Sequence, residues 1–146
     1  MTEEYAKCWA QNSRPYDGIP ELLVRLDDLN LVMAVLSNKP DDFTKLMVHS
    51  LLPACPFRIV QGHKPPVPIK PDPTAALDIA DKLRIPPYNF LYLGDTKTDM
   101  LTATAAGMFP VGVLWGFRTA DELIASGAKA LVEKPLDVLS LFDPNP

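Results

Sequence analysis

Cysteine is nearly absent: Cys8 and Cys55 are the only two in 146 residues. They are too few and too far apart for a disulfide framework or a zinc cluster, and two such thiols suit a reducing compartment. No apolar run approaches the roughly 18 residues of a membrane span. The N-terminus, with Glu3 and Glu4, is unlike a signal peptide, so the expected location is the cytoplasm, with no membrane partner. A basic surplus is also lacking. Fourteen Lys and Arg face eighteen Asp and Glu, a formal net charge of −4, which argues against a general nucleic-acid binder. Glycine is scarce, and no Gly-x-Gly-x-x-Gly follows a candidate strand, which removes the dinucleotide-binding fingerprint. Internal repeats and low-complexity tracts are missing as well.

What remains is the composition of one globular domain, 47% apolar and 22% charged, long enough to bury a core. Short apolar runs alternate with helical patterns, the signature of a mainly parallel α/β sheet. Residues 31–36 form a continuous hydrophobic run, as a strand covered on both faces requires, and similar runs occur at 57–60, 90–93, 110–115 and 130–132. Pro20 opens a helix with Leu22, Leu23, Leu26 and Leu29 on one face. Pro40 opens another, with Asp41 and Asp42 in its first turn and Phe43, Leu46, Met47 and Leu51 expected inward. A third starts at Asp72-Pro73 and buries Ala76, Leu77 and Ala80; a fourth runs from about Lys97 to Ala106 and stops at Gly107. Thr119 to Glu122 has capping-box spacing, with Gly127 closing that helix, and Pro135 begins a last one. The sixteen prolines sit mainly at helix starts and in one stiff loop, 62–73. Residues 1–16, with an amphipathic stretch from Tyr5 to Trp9, differ in kind from the core domain at 17–146 and read as a linker or the tail of something preceding.

Ligands of open α/β sheets bind outside the carboxyl ends of the strands, and three polar groupings fall there. Ser37-Asn38-Lys39 follows the strand at 31–36; a hydroxyl and backbone N–H groups at a strand-to-helix turn can hold a phosphate oxygen, or simply cap the helix. Lys70 lies in Ile69-Lys70-Pro71-Asp72-Pro73, where neighbouring prolines would fix an ammonium beside an anion; an isolated loop lysine is ordinarily just solvated. Gly94-Asp95-Thr96-Lys97-Thr98-Asp99 follows the run ending at Leu93. Its two carboxylates share one side of a turn and the helix it starts, and suit Mg²⁺, although Asp95 and Asp99 also fit a helix start. His49 and His63 are not needed for this chemistry.

In that order, Ser-Asn-Lys, Lys-Pro-Asp-Pro and Gly-Asp-x-x-x-Asp resemble the second, third and fourth motifs of the haloacid dehalogenase superfamily. Flanking stretches, Pro15 to Leu23, Val35 to Pro40, Gly107-Met108 and Val113 to Phe117, look similar to phosphoglycolate phosphatases. The resemblance implies a Rossmann-like three-layer α/β/α core and a Mg²⁺-dependent phosphatase acting on a small phosphomonoester through an aspartyl-phosphate. By motif, Ser37 and Asn38 would bind phosphate, and Lys70 would neutralise the charge of phosphate and nucleophile. Asp95 would ligate Mg²⁺ directly or through water. Asp99 would either stand near the metal or orient Lys70.

The family's nucleophile, in an Asp-x-Asp-x-Thr/Val motif on the first and central strand, has no counterpart: Asp27-Asp28 end a helix and Asp41-Asp42 begin one. Most of the helical cap is likewise unmatched, with Tyr5, Trp9 and Arg14 as candidate remnants. The chain alone is therefore expected to be inactive, with weakened metal affinity. Without its central strand, the sheet would expose two apolar edges. The expectation is a truncated chain with an open slot, cover by a second copy or by a complementing N-terminal segment, or direct pairing of the strands ending at Ser37 and Gly94. The alternative function is a non-catalytic regulatory or interaction protein on the same scaffold; a receiver-like domain ranks below both.

Overall fold

The computed structural model describes residues 18–51, 57–115 and 119–142, together with the backbone of residues 3–5. Trp9, Arg14, Phe117 and both cysteines lie outside the described residues. The elements run β1 (Glu3–Tyr5), α1 (Ile19–Asp28), β2 (Val32–Pro40), α2 (Asp41–Leu51), β3 (Ile59–His63), α3 (Thr74–Leu83), β4 (Leu91–Gly94), α4 (Lys97–Ala106), β5 (Phe109–Val113), α5 (Ala120–Ala125) and β6 (Ala130–Val132). Short 3-10 helices cover Pro87–Asn89 and Pro135–Phe142.

Every strand pairing is parallel. Two ladders form, β1-β2-β3 and β4-β5-β6, and β1 lies against β4, although no hydrogen-bonded ladder joins those two among the described residues. The resulting order, 3-2-1-4-5-6, is that of a doubly wound α/β sheet. Right-handed crossovers then put α1 and α2 on one face and α3, α4 and α5 on the other. The contacts of α1 with the closing 3-10 helix, and of α4 with both α3 and α5, agree with this three-layer arrangement.

The expected open slot is entered by the chain itself. Glu3 pairs with Val32, Glu4 with Met33 and Tyr5 with Ala34, so residues from the segment read as a linker occupy the first-strand position. Nor do β2 and β4 pair directly among the described residues. Glu-Glu-Tyr carries no apolar run, so no strand is expected there from the sequence.

The core gathers the two apolar faces of the sheet and the stripes of its helices. Ile19, Leu22, Leu23 and Leu26 are fully buried in α1, but Leu29, expected on that face, sits at the helix end and is exposed. In α2 the inward face is Asp41, Thr44 and Val48 rather than Phe43 and Leu46, which are exposed; Met47 is half-buried. Polar anchoring overrides the apolar pattern here. The Asp41 carboxylate accepts the Gly62 N–H at 2.9 Å and the Lys45 ammonium, and the Thr44 hydroxyl reaches Pro40 O at 3.0 Å. Gly62 is needed for this contact, since a Cβ there would lie 2.5 Å from Thr44 Oγ1. In α3, Ala76 and Ala80 are buried, whereas Leu77 is 39% exposed. Among the described residues no helix is long and apolar enough to cross a membrane.

Candidate active site

β2 runs on to Pro40, with an irregular register against β3 after Leu36, so Ser37-Asn38-Lys39 is the end of a strand rather than a strand-to-helix turn. Ser37 is buried, and its Oγ accepts the Lys39 N–H at 3.1 Å. Asn38 turns to the proline-rich loop. Its Oδ1 accepts the Lys70 N–H at 2.8 Å and its Nδ2 donates to Lys70 O at 3.3 Å, so a single carboxamide holds both backbone groups of Lys70 across the gap between β2 and that loop.

Lys70, read in isolation as a solvated loop residue, is buried. Its ammonium donates to Asp99 Oδ1 at 2.7 Å, and the Asp99 side chain is completely buried. The other carboxylate oxygen of Asp99 accepts the Asp95 N–H at 3.2 Å and the Thr96 hydroxyl at 3.0 Å. In return the Thr96 Oγ1 accepts the Asp99 N–H at 3.1 Å and caps α4, a reciprocal cap of the capping-box type. Beneath the pair, burial and then the nearby Asp99 charge push the Tyr92 phenol well above its ordinary range, partly offset by a hydrogen bond with Thr102. Gly94 is what admits Asp99 so close to β4: a Cβ at Gly94 would fall 2.2 Å from the Asp99 Cβ.

The sheet thus brings Asn38, Lys70, Asp99 and the Asp95 backbone into one hydrogen-bonded chain at the carboxyl ends of β2 and β4, beside the point where the strand order reverses. Ser37, Asn38 and Lys70 also line a small pocket, which His63 shares from the end of β3. Of the two roles open to Asp99, the geometry is that of orienting Lys70. Both its oxygens are engaged by donors. Among the described residues no group of three or more His, Cys, Asp or Glu side chains converges. Mg²⁺ commonly takes one or two carboxylates and completes its shell with water and phosphate. Asp95 fits as one such ligand, but the described residues do not enclose a metal by themselves.

Sequence reasoning missed Thr96 as an Asp99 partner, although the Thr-x-x-Asp spacing was there to be read. It also missed the clamp by Asn38, for which a separation of 32 residues leaves no local sign.

The family profile of haloacid dehalogenase-like hydrolases matches residues 1–113, which run from before β1 through β5. The chain belongs to the haloacid dehalogenase-like hydrolase family. Among curated relatives of this chain, an N-acetylmuramic acid 6-phosphate phosphatase of Pseudomonas aeruginosa is 31% identical over 97% of the chain and 63% of the relative. A phosphoglycolate phosphatase of Xanthomonas campestris pv. campestris is 30% identical over 91% and 61%. The crystal structure of a candidate phosphoglycolate phosphatase from Lactobacillus delbrueckii subsp. bulgaricus superposes with a TM-score of 0.84 at 29% identity, covering 90% of this chain and 54% of that one. A hydrolase from Pseudomonas syringae superposes at 0.77 with 32% identity, covering 90% and 62%. This haloacid dehalogenase-like chain spans about three fifths of the length of the curated relatives it matches.

Proposed function

We propose that these 146 residues carry the phosphate-holding half of a phosphatase site acting on a small phosphomonoester of the phosphoglycolate type. The observation that carries the reading is Lys70: a buried ammonium, aimed by Asp99 and fixed through its backbone by Asn38, beside the buried hydroxyl of Ser37. Phosphoryl transfer depends mainly on positioning and on stabilising charge, and a pre-aimed cation with hydroxyl and amide donors supplies both. In this reading Ser37 donates to a phosphoryl oxygen, Lys70 balances phosphate charge, and Asn38 acts on the phosphate only through Lys70. Asp95 is the residue that would hold Mg²⁺, whose chemistry is to neutralise charge on the phosphoryl oxygens. The names of the relatives support a sugar phosphate or a phosphorylated hydroxy acid as substrate.

Attack on phosphorus is not assigned to any residue here. The sequence contains no Asp-x-Asp pair, and the first-strand position is taken by Glu3–Tyr5, so the chain by itself binds the ester without turning it over. A non-catalytic phosphate-binding role on this scaffold has the same two observations in its favour. Calorimetric titration with 2-phosphoglycolate tests the site shared by both readings. Saturable binding that weakens about tenfold in Ser37→Ala, the order of one lost hydrogen bond to a charged group, is expected. Equal binding by a folded Ser37→Ala variant would place the anion elsewhere.

A further inference from the structure

Away from the candidate active site, a cleft of about 370 Å³ lies beside β3 and draws its walls from α2 and α3, a size that suits a small-molecule ligand. Four cationic side chains line it, Lys45, Arg58, Lys64 and Lys82, against two carboxylates, Asp41 and Asp78. Asp41 is buried and already committed to Lys45 and to the Gly62 N–H. Arg58, Lys64 and Lys82 are exposed and outweigh Asp78, which makes the cleft locally positive on a chain whose net charge is −4.

The cations stand in two groups. Arg58 immediately precedes β3 and Lys64 immediately follows it, about 20 Å of extended chain apart. In a doubly wound sheet the helix after a strand carries the chain back, so α3 runs antiparallel to β3. Lys82, in the last turn of α3, therefore comes to the Arg58 end. Lys45 belongs to the Lys64 end, because its partner Asp41 holds Gly62, two residues before Lys64. Between the two poles lie the side chains of Gln61 and of Asp78, one helical turn before Lys82. This pattern selects among anions. A single orthophosphate meets one pole only, and a run of contiguous phosphates would lay its charge against Asp78. An elongated molecule with a phosphate at each end and hydroxyls between fits, because its ends meet cations while its hydroxyls donate to Asp78 and exchange hydrogen bonds with Gln61.

We propose that this cleft binds a bisphosphorylated polyol, with one phosphate on Arg58 and Lys82 and the other on Lys64 and Lys45. The Arg58 guanidinium offers its forked donors to two phosphate oxygens at once, and the lysines act as point charges. Lys64 also lines the pocket at Ser37 and Lys70, whereas Arg58, Lys82, Lys45 and Asp78 line the cleft alone. The site is thus a second one, and it does not depend on the phosphatase reading.

The test titrates the full, ¹⁵N-labelled chain with fructose 1,6-bisphosphate, followed by amide chemical shifts and by calorimetry. Saturable binding is expected, with the shifts gathered at Lys45, Arg58 to Lys64, Asp78 and Lys82. Arg58→Ala/Lys82→Ala should weaken it by about tenfold or more, the order of one lost hydrogen bond to a charged group, and Ser37→Ala should not weaken it. The Arg58 and Lys82 side chains are exposed, and Arg58 joins the sheet through its main-chain N–H to Met33 O at 2.8 Å, so the double variant keeps the fold. The shift map of the unaltered chain tests the site without any variant. Fructose 6-phosphate, with one phosphate, and inorganic pyrophosphate, with adjacent charges, should each bind about tenfold more weakly, since each leaves one pole unmet. An absence of saturable binding, equal affinity for pyrophosphate, or equal affinity of the folded double variant would overturn the proposal. So would shifts confined to Ser37, Asn38 and Lys70, which would put the bisphosphate in the other pocket.

Discussion

Lys70 and Asp99 are both buried, and a buried ion pair of this kind is costly to break even where its net contribution to stability is small. Removing one partner leaves the other charge uncompensated, so Asp99→Asn is expected to destabilise the fold by about 3–5 kcal/mol, read as the shift in urea unfolding midpoint. The Asn38 carboxamide holds two backbone groups of the neighbouring loop. Asn38→Ala should cost about 1–3 kcal/mol for the groups left unpaired and weaken phosphoglycolate binding by loosening Lys70. Asn38→Asp, which keeps the acceptor and loses the donor, should fall between the two in the same titration; affinity equal to wild type in Asn38→Ala would remove the clamp from the account of binding. Ser37, Lys70, Asp95 and Asp99 were all legible as candidates because their motifs stand in a recognisable order along the chain. Their division of labour was not. Whether Asp99 faces a metal or an ammonium, and whether Asn38 faces phosphate or a loop, depends on contacts between residues 29 or more positions apart.

Elements carry constraints that single side chains do not. The close approach of α4 to β4 depends on Gly94, since any Cβ there would collide with Asp99. Gly94→Ala should destabilise by about 1–3 kcal/mol, the range for overpacking, and thermal unfolding would show it; an unchanged transition would mean that α4 shifts freely. The junction of α2 and β3 rests on Asp41. Burial raises the pKa of its carboxyl, but the Lys45 ammonium, the Gly62 N–H and the nearby Lys64 charge outweigh that and hold it below the ordinary carboxylate range. A depressed folded-state pKa stabilises above the unfolded value and loses that contribution as pH falls through the folded one. The stability difference between wild type and Asp41→Asn should therefore be largest near neutral pH and shrink in acid. A gap that widens on acidification would reverse the sign. This junction also shows where periodicity misleads: Phe43 and Leu46 suggested the inward face of α2, and a buried carboxylate and hydroxyl turned another face in. For the strands, apolar runs located β2 to β6 within a few residues because continuous burial leaves continuous hydrophobic sequence; three backbone-paired residues at β1 leave none.

At the scale of the molecule, the sheet order places Ser37 and Asp95 on either side of the switch point, with the first-strand position between them filled by Glu3–Tyr5. In the function proposed above, a haloacid dehalogenase-like core arranged in this way holds phosphate while none of its 146 residues falls in an Asp-x-Asp motif. Holding and attacking phosphorus are then separable properties, and one experiment reads both. In a ³¹P NMR titration of 2-phosphoglycolate with the chain and Mg²⁺, the ester resonance should shift or broaden saturably while no inorganic phosphate accumulates. Steady growth of the inorganic phosphate signal, or an ester resonance unchanged by a folded chain, would contradict the division proposed here.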